Sequence, residues 1–225
     1  MQAVKQFIKK IPVLGKIARK LAAKEAFHGS RDYWANRYDS GNNSGAGSYG
    51  KLAEFKAEVI NKFVAEHDVK TLVEFGCGDG NQLGLAAYPH YIGLDVAPRS
   101  IEICKKMYQD DSTKEFHLLD GSPIPSAELG MSLDVIYHLV EDQVYEQYMR
   151  DLFDVSSRFV IVYSSNKDEK APVEWVRHRK FTTWIEQHQP DWTLLEHIPN
   201  RYPETPGSDQ DNTSFADFYI FEKRS

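Results

Sequence analysis

From residue 52 onward the apolar residues alternate between helical and strand spacing. Leu52, Phe55, Val59, Ile60 and Phe63 fall on one face of a predicted helix. Apolar runs at 71–76, 91–95, 115–119, 132–139, 158–165, 192–198 and 215–223 read as seven short strands. Helical spacing returns around 81–87, at 98–109, at 142–153 and near 178–188. Strands alternating with helices predict an α/β fold, a doubly wound and mostly parallel sheet in one domain spanning residues 30–225. The polar, Pro-containing stretch Pro199–Asn212 is expected to join the last two strands as a hairpin.

Residues 1–29 follow a different pattern. Phe7, Ile8, Ile11, Leu14, Ile17 and Leu21 recur at helical spacing with lysines and arginines between them. This predicts a basic amphipathic N-terminal extension, broken near Pro12. Such a helix can lie in a membrane interface, dock on its own domain, or contact a second subunit as a homodimer. No apolar run approaches the roughly 20 residues needed to span a bilayer.

The stretch Val73-Glu74-Phe75-Gly76-Cys77-Gly78-Asp79-Gly80 follows the first strand. Its alternating glycines let the backbone turn sharply and approach a ligand without Cβ obstruction. The next strand, Tyr91–Asp95, ends in a carboxylate with two oxygens for the two hydroxyls of a ribose. Strand, glycine turn, helix, strand and acid form the plan of a nucleotide-ribose site. A dinucleotide fingerprint would require a third glycine where Asn81 stands, so the pattern is E-x-G-x-G-x-G instead.

In that form the stretch resembles the first motif of the class I S-adenosylmethionine-dependent methyltransferases, which also have seven strands. The resemblance implies S-adenosyl-L-methionine as cofactor. Glu74, Gly76, Gly78 and Asp79 are then expected at its amino-acid end, Asp95 at the ribose, and Asp120 and Gly121 at the adenine. The strings Tyr33-Trp34-Ala35-Asn36-Arg37-Tyr38 and Gly45-Ala46-Gly47-Ser48-Tyr49-Gly50 resemble the N-terminal lid of methyltransferases from bacterial surface-polysaccharide gene neighbourhoods. That implies Tyr33, Arg37 and Tyr49 enclose the cofactor, with aromatic packing of an N-terminal helix as the plainer role for Tyr33 and Trp34. The H-L-V-E-D string at 138–142 and the basic run at 177–181 resemble the same subgroup.

Methyl transfer from a sulfonium is an in-line displacement. It needs the acceptor held close and, for a hydroxyl, a base for its proton. His138, after the fourth strand, suits that role and also stands near the cofactor; Glu141 and His178 are further candidates for the chemistry. Asp142 is expected to cap the following helix. Arg177 and Arg179 fit an anionic acceptor, or an ion pair with Glu141 or Asp142.

Composition narrows the picture. The hydrophobic fraction of 41% and the charged fraction of 27% are ordinary for a globular chain. Two cysteines, Cys77 and Cys104, suggest no disulfide framework and fit a cytoplasmic protein, in peripheral contact with the inner membrane face if residues 1–27 bind lipid. The eight histidines lack metal-ligand spacing, so no metal site is expected. Residues 1–24 carry seven basic residues and no acid, which leaves −13 on the rest of a chain whose net charge is −6. So acidic a body would repel a phosphate backbone, which predicts no nucleic-acid partner. The reading is an O-methyltransferase acting on a small-molecule or glycan acceptor in surface-polysaccharide assembly. A protein or nucleic-acid methyltransferase, or a non-catalytic cofactor-binding protein, are the alternatives.

Overall fold

The computed structural model describes residues 27–209 and 211–224. The N-terminal amphipathic helix, with its membrane or dimer contact, lies outside the described residues. Helix α1 (Ser30–Asp39) and helix α2 (Gly50–Glu66) precede the sheet. The chain then runs through β1 (Thr71–Phe75), β2 (His90–Asp95), α3 (Pro98–Met107), β3 (Lys114–Leu118) and β4 (Ala127–Leu133). It continues through α4 (Asp142–Asp154), β5 (Ser156–Ser164), α5 (Phe181–His188), β6 (Trp192–Ile198) and β7 (Asp217–Lys223).

The strands form one seven-stranded sheet in the order β3-β2-β1-β4-β5-β7-β6. The first five are parallel to their neighbours, while β7 runs antiparallel to β5 and β6. A doubly wound, mostly parallel sheet is thus present as expected. The β6–β7 hairpin makes it mixed.

Both faces of the sheet are covered, so β1 alternates between two cores. Leu72 faces Ile60, Phe63 and Phe218 under α2, whereas Val73 and Phe75 face Tyr148, Met149 and Leu152 of α4. This double burial is why the middle of β5, Phe159–Tyr163, reads as an unbroken apolar run. The expected fourth strand at 132–139 needs correction: β4 ends at Leu133. Asp134 takes a left-handed φ of 61°, and Ile136–His138 form a short helical turn. The run reads like a strand because Val135, Ile136, Tyr137 and Leu139 are apolar, but they form a turn whose Ile136 and Leu139 join the core under α4.

Strand order reverses between β1 and β4, since β2 and β3 lie on one side and β5, β7 and β6 on the other. Connections leave the sheet in opposite directions there and open a crevice beyond the carboxyl ends of the strands. Gly76, Asp95 and Asp134 follow or end β1, β2 and β4, so the topology itself brings them to one place.

Candidate active site

A cavity of about 830 Å³ fills this crevice. Its wall is shared by the glycine loop, the ends of β2, β3 and β4, and helix α1 lying across the top. In the loop, Gly76 and Gly78 have φ of 87° and 60°. A Cβ on Gly78 would stand 2.3 Å from Ser44 Oγ and 3.1 Å from Tyr38 Oη, so glycine is what allows the segment after α1 to close onto the loop.

Asp95 is buried. Its Oδ2 accepts the Gly78 N–H at 3.0 Å and its Oδ1 the Ala97 N–H at 2.9 Å. Burial pushes its carboxyl upward, and these N–H groups pull it back toward the ionised form. Each oxygen keeps a second lone pair for a ribose hydroxyl. The other side of the crevice offers Asp120, Gly121 and the apolar Leu119 and Ile124 to a flat ring. Asp120 Oδ1 also accepts the Ser122 N–H at 3.0 Å, which fixes the turn.

Asp79 faces the other way. It accepts from Ser44 N–H at 2.9 Å, Tyr49 O–H at 2.7 Å and Asn81 N–H at 3.1 Å. Burial alone would raise its pKa, but these bonds hold it below the usual carboxylate range. Asp79 and Tyr49 therefore fasten the lid to the loop and do not line the cavity. Tyr33 and Arg37 are placed similarly. Tyr33 stacks on Trp175 at 5.6 Å, and Arg37 donates to the Asn43 carbonyl at 2.7 Å while lying over the Trp34 ring. The residues that α1 does turn into the cavity are Ser30, Arg31, Trp34 and Tyr38.

His138 lines the cavity. Its Nδ1 meets the Trp175 carbonyl at 3.0 Å, so Nδ1 carries the proton and Nε2 keeps the lone pair. Burial lowers its pKa to about 4, leaving the ring neutral at physiological pH. The Trp34 ring abuts it edge-on at 4.9 Å.

Glu141 is outside the cavity. Its carboxylate takes the Ser30 N–H at 2.9 Å and the Ser30 O–H at 2.6 Å, which pins the start of α1. The expectation that Glu141 carries chemistry is corrected to a role in holding the lid, because it lies outside the cavity and is turned onto Ser30. Arg31 adds a second clasp by donating to the Leu119 carbonyl. His178 lies in a separate groove, its Nδ1 2.7 Å from Ser165 Oγ, and is not brought to His138. In that groove Arg177 pairs with Asp142 at 2.9 Å. Arg179 donates to the Leu139 carbonyl at 2.6 Å and stacks over Tyr145. The Arg177–Arg179 pair thus braces the loop after His138, which takes up the donors expected for an anionic acceptor.

Two cavity residues had no counterpart in the sequence reading. Lys56, on α2, is buried and pairs with Asp134 at 2.8 Å, and Tyr137 O–H donates to the other Asp134 oxygen at 3.0 Å. Lys56 looks like a solvent-facing lysine between apolar positions. Asp134 was hidden by the misplaced end of β4. An acid ending a strand at the switch point was the available signal.

The sheet order and the glycine loop beside a buried acid at the end of β2 are those of a class I S-adenosylmethionine-dependent methyltransferase, and its cofactor is S-adenosyl-L-methionine. Residues 51–177, more than half of the chain, match the family model described as the mRNA (guanine-N(7))-methyltransferase domain, and the chain belongs to that family. It is 31% identical over 132 residues to a small RNA 2'-O-methyltransferase of Arabidopsis thaliana. That match covers 51% of this chain and spans only 14% of the plant protein's length. Solved structures with the same fold include the methyltransferase domain of a bacterial CtHen1-C, at 15% identity and TM-score 0.59, covering 76% of this chain and 97% of that one. Another is magnesium protoporphyrin IX methyltransferase from Synechocystis with bound cofactor, at 13% identity and TM-score 0.62, covering 89% and 99%.

These similarities overturn two expectations. The glycan acceptor is replaced, because the curated relative and the family are named for RNA methylation. The exclusion of a nucleic-acid partner falls with it. Net charge had been the basis of that exclusion, yet net charge sets long-range steering and says little about which nucleotide a local cavity admits. Here the cavity rim carries Arg31.

Proposed function

We propose that this enzyme transfers the methyl group of S-adenosylmethionine to RNA. The observation that carries the reading is the family match over residues 51–177, joined by 31% identity to a small-RNA methyltransferase across 132 residues. The cavity agrees with it. Beside the cofactor end, the half-buried Trp34 offers aromatic surface on which a nucleotide base can stack. Arg31 brings a positive charge to the rim, where a phosphate would lie.

The bound cofactor supplies an activated methyl on a positively charged sulfur. The chain's own task is to hold an acceptor lone pair in line with it and exclude water. A neutral His138 with a free Nε2 can accept a hydrogen bond from a ribose hydroxyl or an exocyclic amine. With a pKa of about 4 it orients the acceptor and does not store its proton at neutral pH.

The test is incubation of the purified protein with methyl-labelled cofactor and host extract, fractionated into RNA, protein and small molecules. Label in RNA is the expected result. Label confined to protein or small molecules would overturn the RNA reading while leaving the fold and cofactor untouched.

A further inference from the structure

The β3–β4 connection is short for its task. β3 and β4 run parallel, with β2 and β1 between them. Parallel strands are usually joined by a crossover of about a dozen or more residues that includes a helix. Here residues 119–126 alone make the crossing, and none of them is helical. They form a strap whose Leu119 and Ile124 pack on the core shared with α4. Among the described residues, no second helix fills the space between strap and α4. That space is an arm of the cavity, lined by Ile124 on one side and by Gln143, Val144, Gln147, Asp151 and Asp154 of α4 on the other. These α4 positions recur every few residues, so the groove follows the helix for about 17 Å. Val144 is 44% exposed there, a large share for an apolar side chain lining a cavity.

The chain before α1 suits this groove in position, length and charge. Ser30 donates to Glu141, just before α4, and Arg31 donates to the Leu119 carbonyl at the start of the strap. The preceding residues therefore enter between the two walls, at the upper end of the groove. After Pro12, residues 13–26 carry Leu14, Ile17 and Leu21 at helical spacing. As a helix they would measure about 21 Å, enough to fill the groove. Lys16, Arg19, Lys20 and Lys24 accompany them against a single acid, Glu25. The groove carries the opposite balance, with Asp120, Asp151 and Asp154 against Arg31. None of these three carboxylates lies within ion-pair distance of a lysine or arginine among the described residues.

We propose that residues 13–26 dock as a helix in the groove between the 119–126 strap and α4, covering the face that the helix-free β3–β4 crossover leaves open. The docked segment closes the outer side of the cofactor cavity, whichever acceptor is methylated.

Amide hydrogen exchange on the full chain tests it. A helix of this length is marginal alone in water, so slow exchange over residues 13–26 reports docking. The expected result is exchange about tenfold or more slower than in a free peptide of the same sequence. Asp151→Lys combined with Asp154→Lys should abolish that slowing and leave exchange in β1 and β5 unchanged. Rates equal to the free peptide's overturn the proposal, as does slowing that survives the charge reversal. Slowing that appears only at high protein concentration would assign the segment to a second copy, and slowing only with added phosphatidylglycerol vesicles would assign it to a lipid surface; either overturns intramolecular docking. Circular dichroism checks the fold. If the double variant does not fold, Gln147→Lys, at an exposed position on the same stripe, takes the same comparison.

Discussion

The two halves of the cavity are built in different ways. The cofactor half is local in sequence: Glu74, Gly76, Gly78 and Asp95 come from one strand-turn-strand unit, and each contact follows from its place at a strand end. The acceptor half is assembled from distant segments. Ser30 on α1 is tied to Glu141, 111 residues away, and His138 to Trp175, 37 residues away. Backbone geometry fixes the first half, and side-chain pairs crossing the fold fix the second. Local damage to the cofactor half should therefore weaken cofactor binding, whereas damage to the cross-fold pairs should loosen the lid or the fold and leave the cofactor bound.

Removing Asp134 should break the comparison most severely. Asp134→Ala leaves Lys56 buried without its partner, and unfolding in urea should show a loss of about 3 kcal/mol, near the low end for a broken buried pair because the Asp134 side chain is itself partly exposed. A stability within error of wild type would mean the pair does not join α2 to the β4 loop.

Asp95→Ala should lower cofactor affinity by roughly 1.5–3 kcal/mol in calorimetry, since charge-assisted bonds to the ribose are lost and the Gly78 N–H loses its acceptor. Unchanged affinity would remove the ribose assignment.

Ser30→Ala sharpens the contrast from the other side. It deletes the hydroxyl that meets Glu141 and the His138 carbonyl, each at 2.6 Å. Amide exchange over residues 30–39 should speed up, with about 1 kcal/mol less protection, while cofactor affinity stays within twofold.

A gentler effect comes from pH. Burial raises the Glu74 pKa to about 7, above the usual carboxylate range, so the group is largely protonated below neutrality. The ammonium at the cofactor's amino-acid end favours the ionised form, so cofactor binding should release a proton and tighten as pH rises from 6 to 8. A flat affinity across that window would place the ammonium elsewhere. The same shift sets a stability sign: the folded state holds this proton more firmly than the unfolded chain, so Glu74's contribution is greatest below about pH 4.5 and fades as pH passes 7.

The smallest effect is expected at Arg177. Half-exposed and paired with Asp142, it should cost under 1 kcal/mol of stability when changed to Gln, and the RNA KM should move by less than about twofold.

The same contrast explains what could be read from the chain alone. The glycine loop and Asp95 declare themselves because their function depends on backbone conformation and on neighbours a few residues away. The lid was foreseen as a segment, but its phase was not. Tyr33 and Arg37 were expected at the cavity, while Trp34 and Tyr38 occupy it, and one residue on a helix turns a side chain by about 100°. Which face α1 presents is set by the Ser30–Glu141 and Arg31–Leu119 contacts, invisible in a local pattern. The basic residues at 177 and 179 misled for a related reason. Their partners, Asp142 and the carbonyls of Leu139 and Val140, come from the loop between β4 and α4 and from the start of α4.

The most direct test of an RNA acceptor beside this cofactor site is nucleoside mass spectrometry of defined RNAs. Capped and uncapped transcripts and a short RNA duplex would be incubated with the enzyme and labelled cofactor, with Asp95→Ala as the blank. The account predicts a labelled methylated nucleoside, on a base or on a ribose, that disappears with Asp95→Ala. Protein that binds the cofactor fully yet leaves every RNA unlabelled would contradict it.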